Sequence, residues 1–316
     1  MKNVALSGQS GSLGRHIVYA LIKAQRFNIT VLVRKPPIDI PESCTANVIV
    51  KTVDFTSAES LTSALAGQDA LIDATFDGAD PGLSIRLVDA AVAAGVKHVI
   101  PSEFSGDPEN SKARALPPFQ PKSATYKHLC QLGRENKITW SAVCNNAFLD
   151  WGLRMSFLGI DLKDRKIEYL NGGKLVIPWT MLDAVGTAVA NLLSLDDTGR
   201  ERVRNRVCYI YSMLKSQKEV ADLAKEALRS DRDRGDGARE WTEENLDMEK
   251  VLGEAMGEMK AGNVTFKVIG DMIRYSISTP GFTGVPKVDD NELLGVKTLT
   301  DQEVNEVITK IAGEMK

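Results

Sequence analysis

Three glycines near the N-terminus have the spacing and the setting to hold a phosphate-bearing ligand. They fall as G-x-x-G-x-x-G within Val4-Ala5-Leu6-Ser7-Gly8-Gln9-Ser10-Gly11-Ser12-Leu13-Gly14-Arg15-His16-Ile17-Val18. The run reads as a short buried strand, a tight turn and the first turn of a helix, the setting that a dinucleotide fingerprint requires. Gly8 lets the chain turn sharply out of the strand, Gly11 lets backbone approach a pyrophosphate, and Gly14 lets the helix pack close to the sheet. Free N–H groups and the positive end of the helix dipole then face the phosphates. Gln9, Ser10, Ser12 and Leu13 stand between the glycines and line the same turn. An ordinary strand-to-helix loop would use glycines too. The apolar strand before the turn and the amphipathic helix after it (Leu13, Ile17 and Leu21 on one face) favour the dinucleotide reading.

The second strand, Asn28 to Val33, runs into Arg34-Lys35-Pro36-Pro37. An acidic residue at its end would accept hydrogen bonds from ribose hydroxyls. Two cations suit a 2′-phosphate instead, so the sequence predicts NADPH over NADH, with a solvated basic pair as the plainer alternative.

These residues need a scaffold. Strand patterns at Asn47–Phe55, Asp69–Thr75, Lys97–Pro101 and Ile138–Cys144 alternate with helices, one capped by Ser57 with Ser60 at its third position, one over Pro81–Gly95 and one opening at Lys122. Such alternation predicts an α/β fold with a doubly wound parallel sheet and right-handed crossovers. Ligands of open parallel sheets sit beyond the carboxyl ends of the strands. Asp54 and Phe55 then fall near an adenine, and Thr75, Phe76, Ser102, Glu103 and Phe104 near a nicotinamide, although each could equally serve to cap its loop.

Past Trp151 the alternation breaks. Ile167–Pro178 reads as a hairpin around Asn171-Gly172-Gly173, and Val207–Tyr211 as a strand. Helices are predicted over Leu182–Leu195, Gln217–Leu228, Thr242–Lys260 and Val264–Ser276, with a charged surface loop at Arg229–Glu240. A lid-type loop spans Gly281–Pro286, and Thr300 with Glu303 forms a capping box for a closing helix. The expected organisation is residues 1–151 as the dinucleotide part and 152–316 as a smaller, mainly helical substrate region. That region shows no clear core of its own and is expected to cover the strand ends, its chain crossing back to the sheet. Phe148, Trp151, Met155, Trp179 and Phe282 are its candidate pocket residues.

A formal net charge of −3 gives no basic footprint for nucleic acid. No apolar run is long enough for a bilayer, and no signal pattern precedes the glycine turn. Cys44, Cys130, Cys144 and Cys208 lack metal or C-x-x-C spacing, and His16, His98 and His128 are scattered, so reduced thiols, a cytoplasmic setting and no metal are expected.

Taken together, G-x-x-G-x-L-G, V-L-V-R-K, P-S-E-F, the helix from Lys122, N-x-A-F-x-D-W and the closing N-E-L-L-G-V-K-T-L-T resemble the isoflavone reductase-like, NmrA-like family of atypical short-chain dehydrogenase/reductases, in its fungal-type branch. The resemblance covers the whole chain. It implies an NADPH-binding Rossmann domain with a small C-terminal substrate domain, Gly8, Gly11 and Gly14 as the phosphate turn, and Arg34 as the phosphate reader. It also implies Lys122 as the catalytic lysine and Asn145 on the nicotinamide side. Lys127 lies one helical turn too late to match. Three departures stand out. Arg134 to Lys137 lengthen a link relative to the plant reductases, P-S-E-F continues as Ser105-Gly106, and the Y-x-x-x-K signature is missing because Tyr126 is followed four residues on by Cys130. A tyrosine-driven mechanism is therefore disfavoured.

The expected chemistry is hydride transfer to a ketone or conjugated C=C of a small aromatic or polyketide-like secondary metabolite, in a monomer or homodimer. Lys122 would stabilise charge on the substrate oxygen and supply the proton, which asks for burial and neighbouring charge that an exposed helix lysine lacks. The resemblance leaves two alternatives: a non-catalytic NADP(H)-sensing regulator that binds a partner protein, and a redox-neutral isomerase or dehydratase. Lys122 argues against the first, because such sensors generally lack a lysine there.

Overall fold

The computed structural model describes residues 1–35, 47–76, 80–229 and 240–315. Pro36, Pro37, Cys44 and most of the expected Arg229–Glu240 loop lie outside the described residues. Alternation holds through Cys144: β1 (Asn3–Ser7), α1 (Ser12–Lys23), β2 (Asn28–Val33), β3 (Val48–Thr52), α2 (Ala58–Leu65), β4 (Ala70–Asp73), α3 (Leu83–Ala93), β5 (His98–Ile100), α4 (Ser111–Arg114), α5 (Gln120–Arg134) and β6 (Thr139–Cys144). Ser57 caps α2 by accepting from the Ser60 N–H. The polar loop before α5 contains α4, and α5 starts two residues before Lys122 because Pro121 suits a first helical turn.

The chain continues through β7 (Ala147–Phe148), α6 (Leu149–Arg154), β8 (Ile160–Asp161), β9 (Lys166–Leu170), β10 (Val176–Thr180), α7 (Leu182–Ser194), α8 (Asp197–Val203), β11 (Arg206–Tyr209), β12 (Met213–Ser216) and α9 (Gln217–Ala227). It closes with β13 (Thr242–Leu246), α10 (Met248–Lys260), α11 (Phe266–Ser278), α12 (Asn291–Leu294) and α13 (Asp301–Glu314). The main sheet has seven strands in the order β11-β6-β5-β4-β1-β2-β3. Every pairing within it is parallel.

Period-two side chains feed two cores. Val4, Leu6, Ile29, Val31, Ile72, Ile100 and Val143 pack with α1 and α7 on one face. Ala5, Leu32, Leu71, Val99, Trp140 and Ala142 pack with α2, α3 and α5 on the other. Gly186 of α7 seats that helix on α1, where a Cβ would meet the His16 carbonyl oxygen at 2.6 Å.

Three expectations for the C-terminal region are corrected. Strands β9 and β10 flank the Asn171-Gly172-Gly173 turn but do not pair with each other. The first sits between β13 and β8, the second between β12 and β7, so the turn joins two small sheets rather than a hairpin. Thr242–Leu246 is a strand, not the start of a helix. Its polar, exposed residues gain order from the parallel ladder with β9 rather than from burial. Finally, this region does own a core: Leu153, Ile160, Ile167, Trp179, Val220 and Ile308 meet in a third buried cluster. The Thr300–Glu303 capping box opens α13 onto it. Strand β11 meanwhile returns to pair with β6, so the chain does cross back to the sheet.

Candidate active site

The glycine turn leaves β1 and enters α1 at the carboxyl edge of the sheet. A Cβ on Gly8, whose φ is +89°, would overlap the Ala74 carbonyl, and one on Gly14 would overlap the Gly8 carbonyl. The chain itself therefore demands glycine at both positions. Gly11 differs: its nearest neighbour to a Cβ would be Gly8 O at 3.4 Å, an ordinary contact. Nothing in the protein requires glycine there, and the open side faces outward, as a cradle for a bulky anion would. Gly11 is also the N-cap of α1 and offers no capping side chain, so the first-turn N–H groups remain for a ligand. Ser10, Gly11 and Ser12 are exposed, Leu13 packs partly on the core, and Gln9 is buried.

At the ends of β2 and β3, Arg34 lies over the Phe55 ring, 5.5 Å from its centroid. Both Arg34 and Lys35 are exposed. This cation–π contact holds the guanidinium against the ring. Asp54 is occupied locally: its carboxylate accepts from Thr56 N–H at 2.8 Å and Thr56 Oγ1 at 2.7 Å. Those bonds hold its pKa below the usual carboxylate value.

The ends of β4 and β5 carry the densest polar network. Thr75 N–H and Oγ1 donate to Asp73 Oδ1 at 2.9 and 2.6 Å, and Ser84 Oγ of α3 donates to Asp73 Oδ2 at 2.5 Å. Ser102 Oγ donates to the Thr75 carbonyl at 2.5 Å. The Lys122 ammonium, from the first turn of α5, donates to the Ser102 carbonyl. Thr75, Ser84, Ser102, Lys122 and Thr125 line one small cavity here. Lys122 is half-buried, whereas Lys127 is exposed. Phe76 is exposed. Two neighbours turn inward. Glu103 is 1% exposed and paired with Arg114 at 2.5 Å, and Phe104 packs into the α1/α7 core.

Asn145 follows β6 fully buried, with Nδ2 on the Asn146 carbonyl at 3.1 Å and Oδ1 without a partner. An orphaned buried amide oxygen is costly unless something completes it, and a carboxamide-bearing ring is a fitting donor. Asn146 donates to Thr283 Oγ1 at 2.6 Å, and Asn110 donates to the Gly281 carbonyl at 3.0 Å. These amides tie the loop bearing Phe282 to the strand ends. Phe282 itself stacks edge-on against Tyr275 at 5.0 Å.

The other candidate pocket residues are dispersed. Phe148 packs partly against the α1/α7 core, Trp151 stands 5.1 Å from Phe157, and Met155 is exposed. Trp179 is 1% exposed and its indole N–H donates to the Lys215 carbonyl at 2.8 Å, so it is core to the C-terminal region rather than a strand-end residue. Asp73, Ser84, Arg114 and Asn146 escaped the sequence reading. The visible signal for Asp73 is a carboxylate closing the apolar run Ala70-Leu71-Ile72.

The sequence profile of the NmrA-like family matches residues 1–200. The chain belongs to the NmrA-like family. A curated relative, an oxidoreductase designated aprR from Aspergillus flavus, is 28% identical over 311 residues, 98% of this chain and 98% of its own length. Among solved structures, an isoflavone reductase superposes with a TM-score of 0.71 at 20% identity, covering 96% of this chain and 99% of that one. The leucoanthocyanidin reductase–NADPH complex from Vitis vinifera gives 0.73 at 16% identity, covering 97% and 99%. Among the described residues no helix is long and apolar enough to cross a membrane, and no cluster of three or more His, Cys, Asp or Glu is placed to hold a metal.

Proposed function

We propose that this NmrA-like protein is an NADPH-dependent oxidoreductase that reduces a ketone or conjugated C=C of a small aromatic or polyketide-like molecule. The observation that carries this reading is the half-buried Lys122 ammonium, held on the Ser102 carbonyl beside Thr75, which follows the strand next to that of the glycine turn. The relative named an oxidoreductase and the reductase that holds NADPH in the same fold support it. Bound NADPH supplies the hydride. The uncapped start of α1 and the space at Gly11 take its pyrophosphate, Arg34 and Lys35 take the 2′-phosphate, and Asn145 Oδ1 accepts from its carboxamide. Lys122 faces the charge that develops on the substrate oxygen and gives up its proton there.

Tryptophan-fluorescence titration tests the cofactor. Wild type is expected to prefer NADPH to NADH, and Arg34→Asp to lose that preference. Turnover on an enone and ketone panel tests the lysine: Lys122→Ala is expected to bind NADPH nearly as wild type does and to lose activity. Failure to bind either cofactor overturns the reading, and full activity of Lys122→Ala removes the lysine from it.

A further inference from the structure

We propose that Asp73 is the positioning residue for Lys122, fixing the Thr75 turn and supplying the counter-charge that keeps the lysine protonated between turnovers. The inference rests on the role given to Lys122 above. Asp73 closes β4 at 1% exposure, opposite Ser7 of β1 in the parallel register. A carboxylate so deep is tolerated only when bonded or paired. Its hydrogen-bond donors, Thr75 N–H, Thr75 Oγ1 and Ser84 Oγ, are all neutral, and Lys122 is the cation whose charge favours its ionised form. Burial raises its pKa, while these bonds and the positive charge of Lys122 pull the other way.

The bonds run without a gap from acid to amine. Asp73 holds Thr75, the Thr75 carbonyl holds Ser102, and the Ser102 carbonyl holds Lys122. On its other side, the segment after Asp73 abuts the glycine turn, because Gly8 has room for no Cβ against Ala74. One carboxylate thus registers the amine with the floor of the cofactor cradle. A neutral amide could cap the Thr75 turn as well, so the charge is what separates positioning from plain support. A nearby negative charge favours the ammonium form. When hydride reaches the substrate carbon, the Lys122 N–H bond breaks, its proton passes to the substrate oxygen, and the neutral amine regains a proton from solvent. Asp73 biases that last step toward reloading.

The test is Asp73→Asn in the full chain, with and without NADPH. Trace acetylation across pH, read by mass spectrometry, follows the protonation of Lys122, with exposed Lys127 of the same helix as internal standard. The Lys122 midpoint is expected to move to lower pH by half a unit or more, with Lys127 unmoved and the NADPH Kd within threefold of wild type. The alkaline limb of kcat/KM is expected to move in the same direction, with kcat falling more than KM changes. Asp73→Ser, which removes the charge and keeps a small polar side chain at the Thr75 turn, is expected to give a shift of the same sign and serves if Asp73→Asn fails to fold. An unmoved Lys122 midpoint in the folded variants overturns the proposal. Normal turnover by Lys122→Ala would instead defeat the catalytic reading while leaving the acetylation result intact, so the two failures are distinguishable.

Discussion

Glu103, just past β5, is answered by Arg114 at 2.5 Å, with both side chains under a tenth exposed. Removing one partner of a buried pair strands the other charge at a cost of about 3–5 kcal/mol. Arg114→Met is expected to lose that much stability in urea unfolding, and adding Glu103→Gln to recover part of it. His98 of β5 is fully buried, its Nδ1 is 2.8 Å from Thr139 Oγ1, and desolvation pushes its pKa down to about 4. An unfolded histidine titrates near 6.5, so the unfolded state binds more protons between those values. The stability contribution is complete above pH 6.5 and is lost as pH falls toward 4, at up to about 1.4 kcal/mol per pH unit. Urea midpoints at pH 7 and pH 5 check this, and His98→Leu is expected to flatten the slope. At this scale the glycine spacing was legible because strand, turn and helix follow one another directly in sequence. The inward turn of Glu103 was not, because its partner Arg114 lies on a helix that the local pattern did not announce.

The glycine turn separates what the fold needs from what a ligand needs. Gly14→Ala drives a methyl group into the Gly8 carbonyl and is expected to destabilise the chain by more than 1 kcal/mol, roughly the overpacking range. Gly11→Ala meets only an ordinary contact, so its melting temperature should stay near wild type while NADPH binding weakens at least tenfold. Thermal melts beside fluorescence titrations read both, and equal effects of the two substitutions would show that Gly11 serves the fold alone. Between α1 and β6, the elements with strong periodicity were readable from sequence and the short α4 was not. β9 and β10 misled because Asn171, Gly172 and Gly173 all adopt positive φ and announce a turn without naming its partners. Those partners arrive at Met213–Ser216 and Thr242–Leu246, far along the chain. Thr242-Glu243-Glu244-Asn245-Leu246 itself carries no strand-forming pattern, since its pairing rather than its composition makes it a strand.

Across the whole molecule, the two halves are interleaved. α7 supplies Val185, Val189 and Leu193 to the core that also holds Val4, Ile17 and Ile29, and β11 completes the main sheet beside β6. A fragment ending at Trp151 would leave that face covered by α1 but not by α7. It is expected to show helical circular dichroism but no cooperative melt, whereas the full chain melts in one transition. A sharp, independent transition in the fragment would show that α7 and β11 are dispensable to the sheet. The same interleaving bears on synthesis. At about 5–20 residues per second, the stretch from Trp151 to Ile210 takes roughly 3–12 s to be made. Until α7 is made within that interval, the emerging nascent chain holds six strands whose α7-facing side is uncovered. Chaperone engagement on the ribosome should therefore peak before α7 emerges and fall away once β11 has docked.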